Sequence, residues 1–273
     1  MKFTAVASAL LCANAALAAP GTAARRARAA QRLAQRDGLT RSSGLLQPVV
    51  KEGEEFSVAS TNDTAHVEYS SNWAGAVLIG TGYTTVTGTI VVPTPKAPSG
   101  GSSSATYSGS AWVGIDGDTC STAILQTGVD FTIRGSSVSF DAWYEWYPDY
   151  AYDFSGITIS AGDTVTFTVT ASSKKAGTAT ITNKSTGQTV SHSFSGETNQ
   201  LCEYNAEWIV EDYESGGSLV SFADFGSVTF TGASVNGGTG VSGATIIDLE
   251  QNNKVLTSCS TSGSSSVTCS YTG

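Results

Sequence analysis

From about Val67 to Gly273 the chain is written in short runs whose apolar residues recur at every second position. Thr164-Val165-Thr166-Phe167-Thr168-Val169-Thr170 is one such run, and glycine-containing turns separate it from its neighbours. Period two is the repeat of a strand with one face inward and one outward. Valine, threonine and the aromatics suit a pleated, half-buried surface. No amphipathic helical pattern occurs after residue 66, no apolar run beyond the N-terminus is long enough to cross a bilayer, and no repeat of fixed period appears. The pattern predicts one all-β domain over residues 66–273, most economically an antiparallel two-sheet β-sandwich of the concanavalin or lectin-like kind. Pro93 to Ser104 reads as a surface loop.

The N-terminus is of another character. Lys2 precedes the apolar run Thr4 to Leu17, and Ala16-Leu17-Ala18 is a small-residue cleavage pattern, so residues 1–18 read as an export signal and the protein as secreted and extracellular. Residues 19–65 carry Arg25, Arg26, Arg28, Arg32, Arg36 and Arg41 in a partly alanine-rich, helix-capable stretch, which suggests a helical or disordered pro-segment. Eight of the 14 basic residues precede residue 66. The remainder holds six basic against 18 acidic residues, a net charge of about −12. Such a surface repels nucleic acid and sheds charge as the medium acidifies. Neither a nucleic-acid nor a membrane partner is expected, and the chain reads as a monomer. A basic leader before an acidic body suggests an intramolecular plug and inhibitor released at low pH. A solvated tail is the plainer alternative.

Cys12 leaves with the signal, so Cys120, Cys202, Cys259 and Cys269 remain, and four thiols allow three pairings. Cys259 and Cys269 flank the turn-rich Ser260-Thr261-Ser262-Gly263, which favours pairing them across a hairpin and joining Cys120 to Cys202. Asn183-Lys184-Ser185 is a glycosylation sequon in an expected turn, making Asn183 a candidate, and Asn62-Asp63-Thr64 is another within the leader.

The side-chain inventory excludes much chemistry. With only His66 and His192, a multi-histidine zinc site is not available, and cysteine ligation would compete with the disulfides. Asp116-Gly117-Asp118 resembles a fragment of a calcium loop without the later ligands. No metal or other cofactor is expected. There is no Gly-x-Ser-x-Gly elbow, and there are no paired Asp-Thr/Ser-Gly loops. Proton transfer is left to carboxylates.

Two segments supply them. On Asp141-Ala142-Trp143-Tyr144-Glu145-Trp146-Tyr147, period two sends Asp141, Trp143, Glu145 and Tyr147 to one face. On the later strand Glu203, Asn205, Glu207, Ile209 and Glu211 share a face, opposite Tyr204, Ala206, Trp208 and Val210. Acids with aromatics suggest a cleft. Trp146 and Trp208 read as core, and Trp143 as the better cleft residue. Ile209-Val210 ahead of Glu211 argue against a simply solvated acid there, and Gln126 is a lone amide within apolar Ala123-Ile124-Leu125.

Several ordered strings resemble the fungal glutamic peptidases, the eqolisins. They are Ser71-Asn72-Trp73-Ala74-Gly75-Ala76, Ala111-Trp112-Val113-Gly114-Ile115-Asp116-Gly117-Asp118-Thr119-Cys120, Ala123-Ile124-Leu125-Gln126-Thr127-Gly128, Trp143-Tyr144-Glu145-Trp146-Tyr147-Pro148 and Asn205-Ala206-Glu207-Trp208-Ile209-Val210-Glu211-Asp212. The resemblance implies a secreted, pepstatin-insensitive acid endopeptidase acting on proteins or peptides, on a sandwich of two seven-stranded sheets. It places a catalytic dyad on Gln126 and Glu211, and substrate-cleft positions on Trp112, Asp116, Trp143, Glu145 and Tyr147. It also favours the Cys120–Cys202 and Cys259–Cys269 pairing. Ala74 stands where relatives often carry glycine, and Glu214-Ser215-Gly216-Gly217-Ser218 lacks a cysteine pair found in some members. Residue types alone leave a rival, a carbohydrate-active sandwich. That would be either a lectin-like module or a glycosidase using Glu145 and Glu211 as its two carboxyls.

Overall fold

The alternation in Thr164–Ser173 is built into the fold: Val165, Phe167, Val169 and Ala171 are buried, and the threonines between them point outward. There they pair across strands, Thr89 with Thr166 at 2.8 Å and Thr87 with Thr168 at 3.1 Å between hydroxyl oxygens, a cross-strand contact that stabilises a solvated sheet face. A computed structural model describes residues 40–49 and 67–273, which belong to one compact unit. The expected signal (residues 1–18), most of the leader, Asn62 and His66 lie outside the described residues.

Two large sheets carry the fold. Along the first run Gln188–Ser195, Ala176–Asn183, Thr164–Ser173, Thr85–Val91, Ser227–Val235, Ser266–Tyr271 and Thr257–Ser262, with the two-residue Gly238–Thr239 off this path. The second orders Thr245–Gln251, Trp73–Ile79, Asn205–Glu211, Thr106–Ile115, Ile124–Arg134 and Ser137–Tyr147. Val67–Ser70 pairs parallel to Thr245–Gln251, and two-residue strands close both ends. The sheets therefore number eight and nine strands where the resemblance implied seven each, the excess being two-residue strands. Phe131, Phe167, Phe225, Phe230, Trp146 and Trp208 fill the space between them. The Trp208 indole N–H donates to the Thr87 carbonyl at 2.8 Å, tying sheet to sheet.

Cys120 is bonded to Cys202 and Cys259 to Cys269, the pairing expected from spacing. Asn183 departs from expectation. It is buried, its amide nitrogen donates to the Thr158 carbonyl and to Asp163, and its oxygen accepts from the amides of Ser185 and Thr186. A nitrogen so engaged inside the fold is not presented for glycosylation, so the sequon serves as a turn.

Asp116 ends the Thr106–Ile115 strand at φ 74°, in the left-handed region that a non-glycine residue adopts only when held there. The holding groups are four consecutive amides, of Cys202, Glu203, Tyr204 and Asn205, which donate to its two carboxylate oxygens at 2.7 to 3.2 Å. This clamp fixes the start of Asn205–Glu211. Asparagine would keep one acceptor oxygen and put an NH2 group against the remaining donors. Asp116→Asn is expected to cost about 2–4 kcal/mol of unfolding free energy, read from urea denaturation. A loss under about 0.5 kcal/mol would show that the clamp is idle.

Candidate active site

Strand register turns scattered residues into a lattice on the outer face of the second sheet. One row runs Trp73, Glu211, Ser110, Asp130 and Asp141; the next Gly75, Ile209, Trp112, Gly128 and Trp143; the third Val77, Glu207, Gly114, Gln126 and Glu145. Residues paired directly across strands project to the same face, so each row is a line of neighbours. Gly128 separates two indoles, because a Cβ there would lie 2.4 Å from Trp112 Cβ and 2.3 Å from the Ala111 carbonyl oxygen. Trp73, Trp112, Ile124, Trp143, Ile209 and Ile247 form an apolar cluster on this face, with Tyr147 at its edge.

Within that cluster Glu211 is buried and engaged at both oxygens. The Trp112 indole N–H donates to Oε2 at 2.9 Å and that of Trp73 to Oε1 at 3.3 Å, while the two rings meet edge to face at 5.0 Å. Burial raises the Glu211 pKa from 4.5 to about 7, against the opposing pull of Arg41, Ser43, Trp112 and the Gly44 amide. Burial likewise lifts Glu145 to about 8, with Arg41 working against the shift and Glu211 adding to it. Gln126 is buried with neither end of its amide hydrogen-bonded.

The residues named from the sequence divide. Gln126, Glu211, Trp112, Trp143, Glu145 and Tyr147 lie on this one face. Asp116 does not join them as a cleft residue, since its oxygens are taken up by the four amides of the clamp. Trp146 and Trp208 belong to the core between the sheets. Asp130, Ser110 and Tyr213 were missed. Asp130 follows Gln126 by four positions, so the same period-two reading of Ile124–Arg134 places it on the cleft face.

The leader supplies the largest surprise. Its described part, Thr40 to Val49, is neither helical nor disordered but extended along this face, with Arg41–Ser42 pairing to Glu214–Ser215. The Arg41 guanidinium lies 3.8 Å from the Trp143 ring centroid and 4.7 Å from that of Tyr213. It bonds Asp130 at 2.7 and 2.8 Å, Ser110 at 3.2 Å and Glu145 at 3.2 Å. Burial opposes its charge, but Asp130, Glu145 and Glu211 more than offset this, and its pKa is raised. Beyond it the Ser43 amide donates to Glu145 and the Gly44 amide to Glu211 at 3.1 Å, the Gly44 carbonyl accepts from the Trp73 indole, and Leu45 and Leu46 pack on the apolar cluster. A peptide backbone thus already lies against the carboxyl groups.

Comparison with known proteins follows the same residues. Residues 71–271 match the Peptidase A4 family. Aspergillopepsin-2 of Aspergillus niger is 55% identical over 289 aligned residues, covering 99% of this chain and 100% of that protein. Scytalidopepsin B of Scytalidium lignicola is 49% identical, again over 99% of this chain and 100% of that one. Among solved structures, scytalido-glutamic peptidase with a transition state analog inhibitor superposes with a TM-score of 0.67 at 50% identity, covering 74% of this chain and 98% of that chain. Aspergilloglutamic peptidase from Aspergillus niger gives 0.58 at 63% identity, covering 60% and 99%. The match runs through every strand that carries the tryptophan-lined carboxyl face, and the chain belongs to the peptidase A4 family, the glutamic peptidases or eqolisins.

Proposed function

We propose that this chain is a secreted acid endopeptidase whose dyad is Gln126 and Glu211, exported by residues 1–18 and made as a latent precursor with a pro-segment over residues 19–65. The observation that carries the reading is the Gly44 amide hydrogen-bonded to Glu211 on the face that also bears Gln126. That contact brings an extended peptide within reach of a carboxyl group held by two indoles. Family membership and this peptide contact favour the peptidase over a glycosidase built on Glu145 and Glu211.

In the proposed mechanism ionised Glu211 takes a proton from a water held between it and Gln126 as that water attacks the scissile carbonyl carbon. The Gln126 NH2 group donates to the oxyanion of the tetrahedral intermediate, and protonated Glu211 then returns its proton to the departing amine. One carboxyl group serves both steps, and no covalent enzyme intermediate forms. Burial disfavours the ionised form of Glu211, whereas Arg41, Ser43, the Trp112 N–H and the Gly44 amide favour it. Departure of the segment admits water, which lifts the burial penalty, and takes away Arg41, Ser43 and Gly44, leaving the Trp73 and Trp112 N–H groups to hold the carboxylate. In the processed enzyme Glu211→Gln and Gln126→Ala should each fold and lose at least about 100-fold in kcat on a protein substrate in acid. Either variant retaining parental activity would remove its residue from the dyad.

The same contacts support inhibition by the leader. Arg41 fills a slot between Trp143 and Tyr213 against Asp130 and Glu145, and Ser43 and Gly44 occupy the hydrogen bonds a substrate would use. Breaking one partner of a buried ion pair costs about 3–5 kcal/mol. Arg41→Ala should therefore weaken latency of the unprocessed chain by about 100-fold or more, measured as initial cleavage of a fluorogenic peptide relative to the processed enzyme at the same pH. Unchanged latency would dissociate Arg41 from inhibition.

Acid preference extends to stability. In the unfolded chain the carboxyl groups titrate near 4.5 and 3.8, whereas in the fold burial raises Glu211 to about 7, Glu145 to about 8 and Asp212 to about 7. Their contribution is fully present below the unfolded values. It is lost as pH climbs through the folded ones, because only the unfolded chain ionises readily there. The Tm should accordingly fall between about pH 4.5 and pH 8 in scanning calorimetry, and a Tm that rises over this interval would contradict the assignment of these groups.

A further inference from the structure

Glu207 is the acid that the mechanism leaves unused. It sits in the third row of the lattice, on the face of Glu211 and Gln126, wholly buried, with neither carboxyl oxygen hydrogen-bonded. A buried carboxyl group without partners is costly, and such a group on a reactive face calls for a function. Its row runs Glu207, Gly114, Gln126, Glu145. Glycine at 114 is required by its neighbours: a Cβ there would lie 2.8 Å from Glu207 Oε1 and 2.7 Å from the Trp112 ring. Glu207 and Gln126 thus flank a position with no side chain, two strand spacings or roughly 10 Å apart at the backbone. Both present unsatisfied polar ends. On the other flank of Gln126, Glu145 is held by Arg41, Ser42 and Ser43 while the leader is in place.

We propose that Glu207 is a positioning residue for Gln126: the two are not hydrogen-bonded in the leader-covered structure, and in the processed enzyme the protonated acid donates its O–H over Gly114 to Gln126 Oε1, which turns the amide nitrogen toward the substrate oxyanion. This rests on the oxyanion role given to Gln126 above. A primary amide has one donating and one accepting end, and nothing in its shape distinguishes them. A neutral acid beside it fixes the productive orientation. An ionised one accepts from the NH2 group instead, and the donor is drawn away from the substrate. Two neighbouring acids help keep Glu207 neutral. After burial itself, Asp116 and then Asp118 raise its proton affinity well above the ordinary carboxylate range. The remaining charged groups of the face are Glu211 on its own strand, Asp130, Asp141 and Glu145 further along the lattice, and Arg41, which is directed at Asp130 and Glu145. The oxyanion donor would then be set while Glu207 is protonated and lost once it ionises.

The test is steady-state kinetics of the processed enzyme from initial rates, with Tm recorded alongside. Glu207→Leu should lower kcat in acid by about 10- to 100-fold, less than complete loss of an oxyanion donor, with KM within about twofold. Glu207→Gln should restore kcat in acid, because its NH2 group donates at every pH, and should carry kcat to higher pH than the parent. Should the leucine variant fail to fold, the glutamine variant decides alone. A merely structural acid would move Tm and leave the pH profile of kcat in place. That profile unchanged in Glu207→Gln would overturn the proposal. Gln126→Ala in the same assay separates the two readings: if it stays active the oxyanion role itself is wrong. If it is inactive while both Glu207 variants keep the parental profile, only the positioning role is lost.

Discussion

Glu211 accepts from two tryptophan indoles, Trp112 at 2.9 Å and Trp73 at 3.3 Å, inside an apolar cluster that denies it water. A carboxyl group placed so has few alternatives to a fixed orientation, and burial alone moves its proton affinity toward neutrality. The rest of the structure supports that placement. Trp73 and Trp112 come from the strands on either side of Asn205–Glu211, so three strands must hold register for one acid to be held. The Asp116 clamp anchors the start of the middle strand and the Cys120–Cys202 bond ties the loop leading into it. The inter-sheet core fixes the opposite face, with Trp208 pointing inward between two residues that point out.

Much of this was legible in the sequence, for a local reason. Period two is a property of a single strand, so the sandwich, the inward Trp146 and Trp208, and the common face of Glu207 and Glu211 could be read from residues in order. What pairs with what is not local. The three rows exist only because five strands distant in sequence align, and neither Asp130 beside Ser110 nor Glu207 in line with Gln126 is written in any one segment. The family resemblance put Asp116 in the cleft, but the strand stops there and its positive φ turns the carboxylate toward the amides of Cys202 to Asn205. Asn183 misled because a three-residue sequon says nothing of burial.

The described part of the leader, residues 40–49, shows how tertiary context positions a segment. Arginine and alanine suggest helix, yet Thr40, Ser42, Ser43 and Gly44 around Arg41 are weak helix formers, and the cleft offers the segment a strand partner at Glu214–Ser215, aromatic faces and acids. Among the described residues, the expected attraction between a basic leader and an acidic body is carried by the Arg41 guanidinium in its slot. Glu214-Ser215 and Ser218-Leu219, the loop without the extra cysteine pair, form the hairpin whose edge receives the segment. The loop next to the candidate catalytic acid is thereby part of the device that covers it.

The central claim is that Gln126 and Glu211 act on one water as a unit. A double-mutant cycle on the processed enzyme tests it most directly, with kcat/KM measured for the parent, Gln126→Ala, Glu211→Gln and the double variant in acid. Residues that serve a single step are strongly non-additive. The account predicts that the double variant is no more than about threefold worse than Glu211→Gln alone. Losses that multiply, each residue costing as much in the other's absence as in its presence, would contradict it.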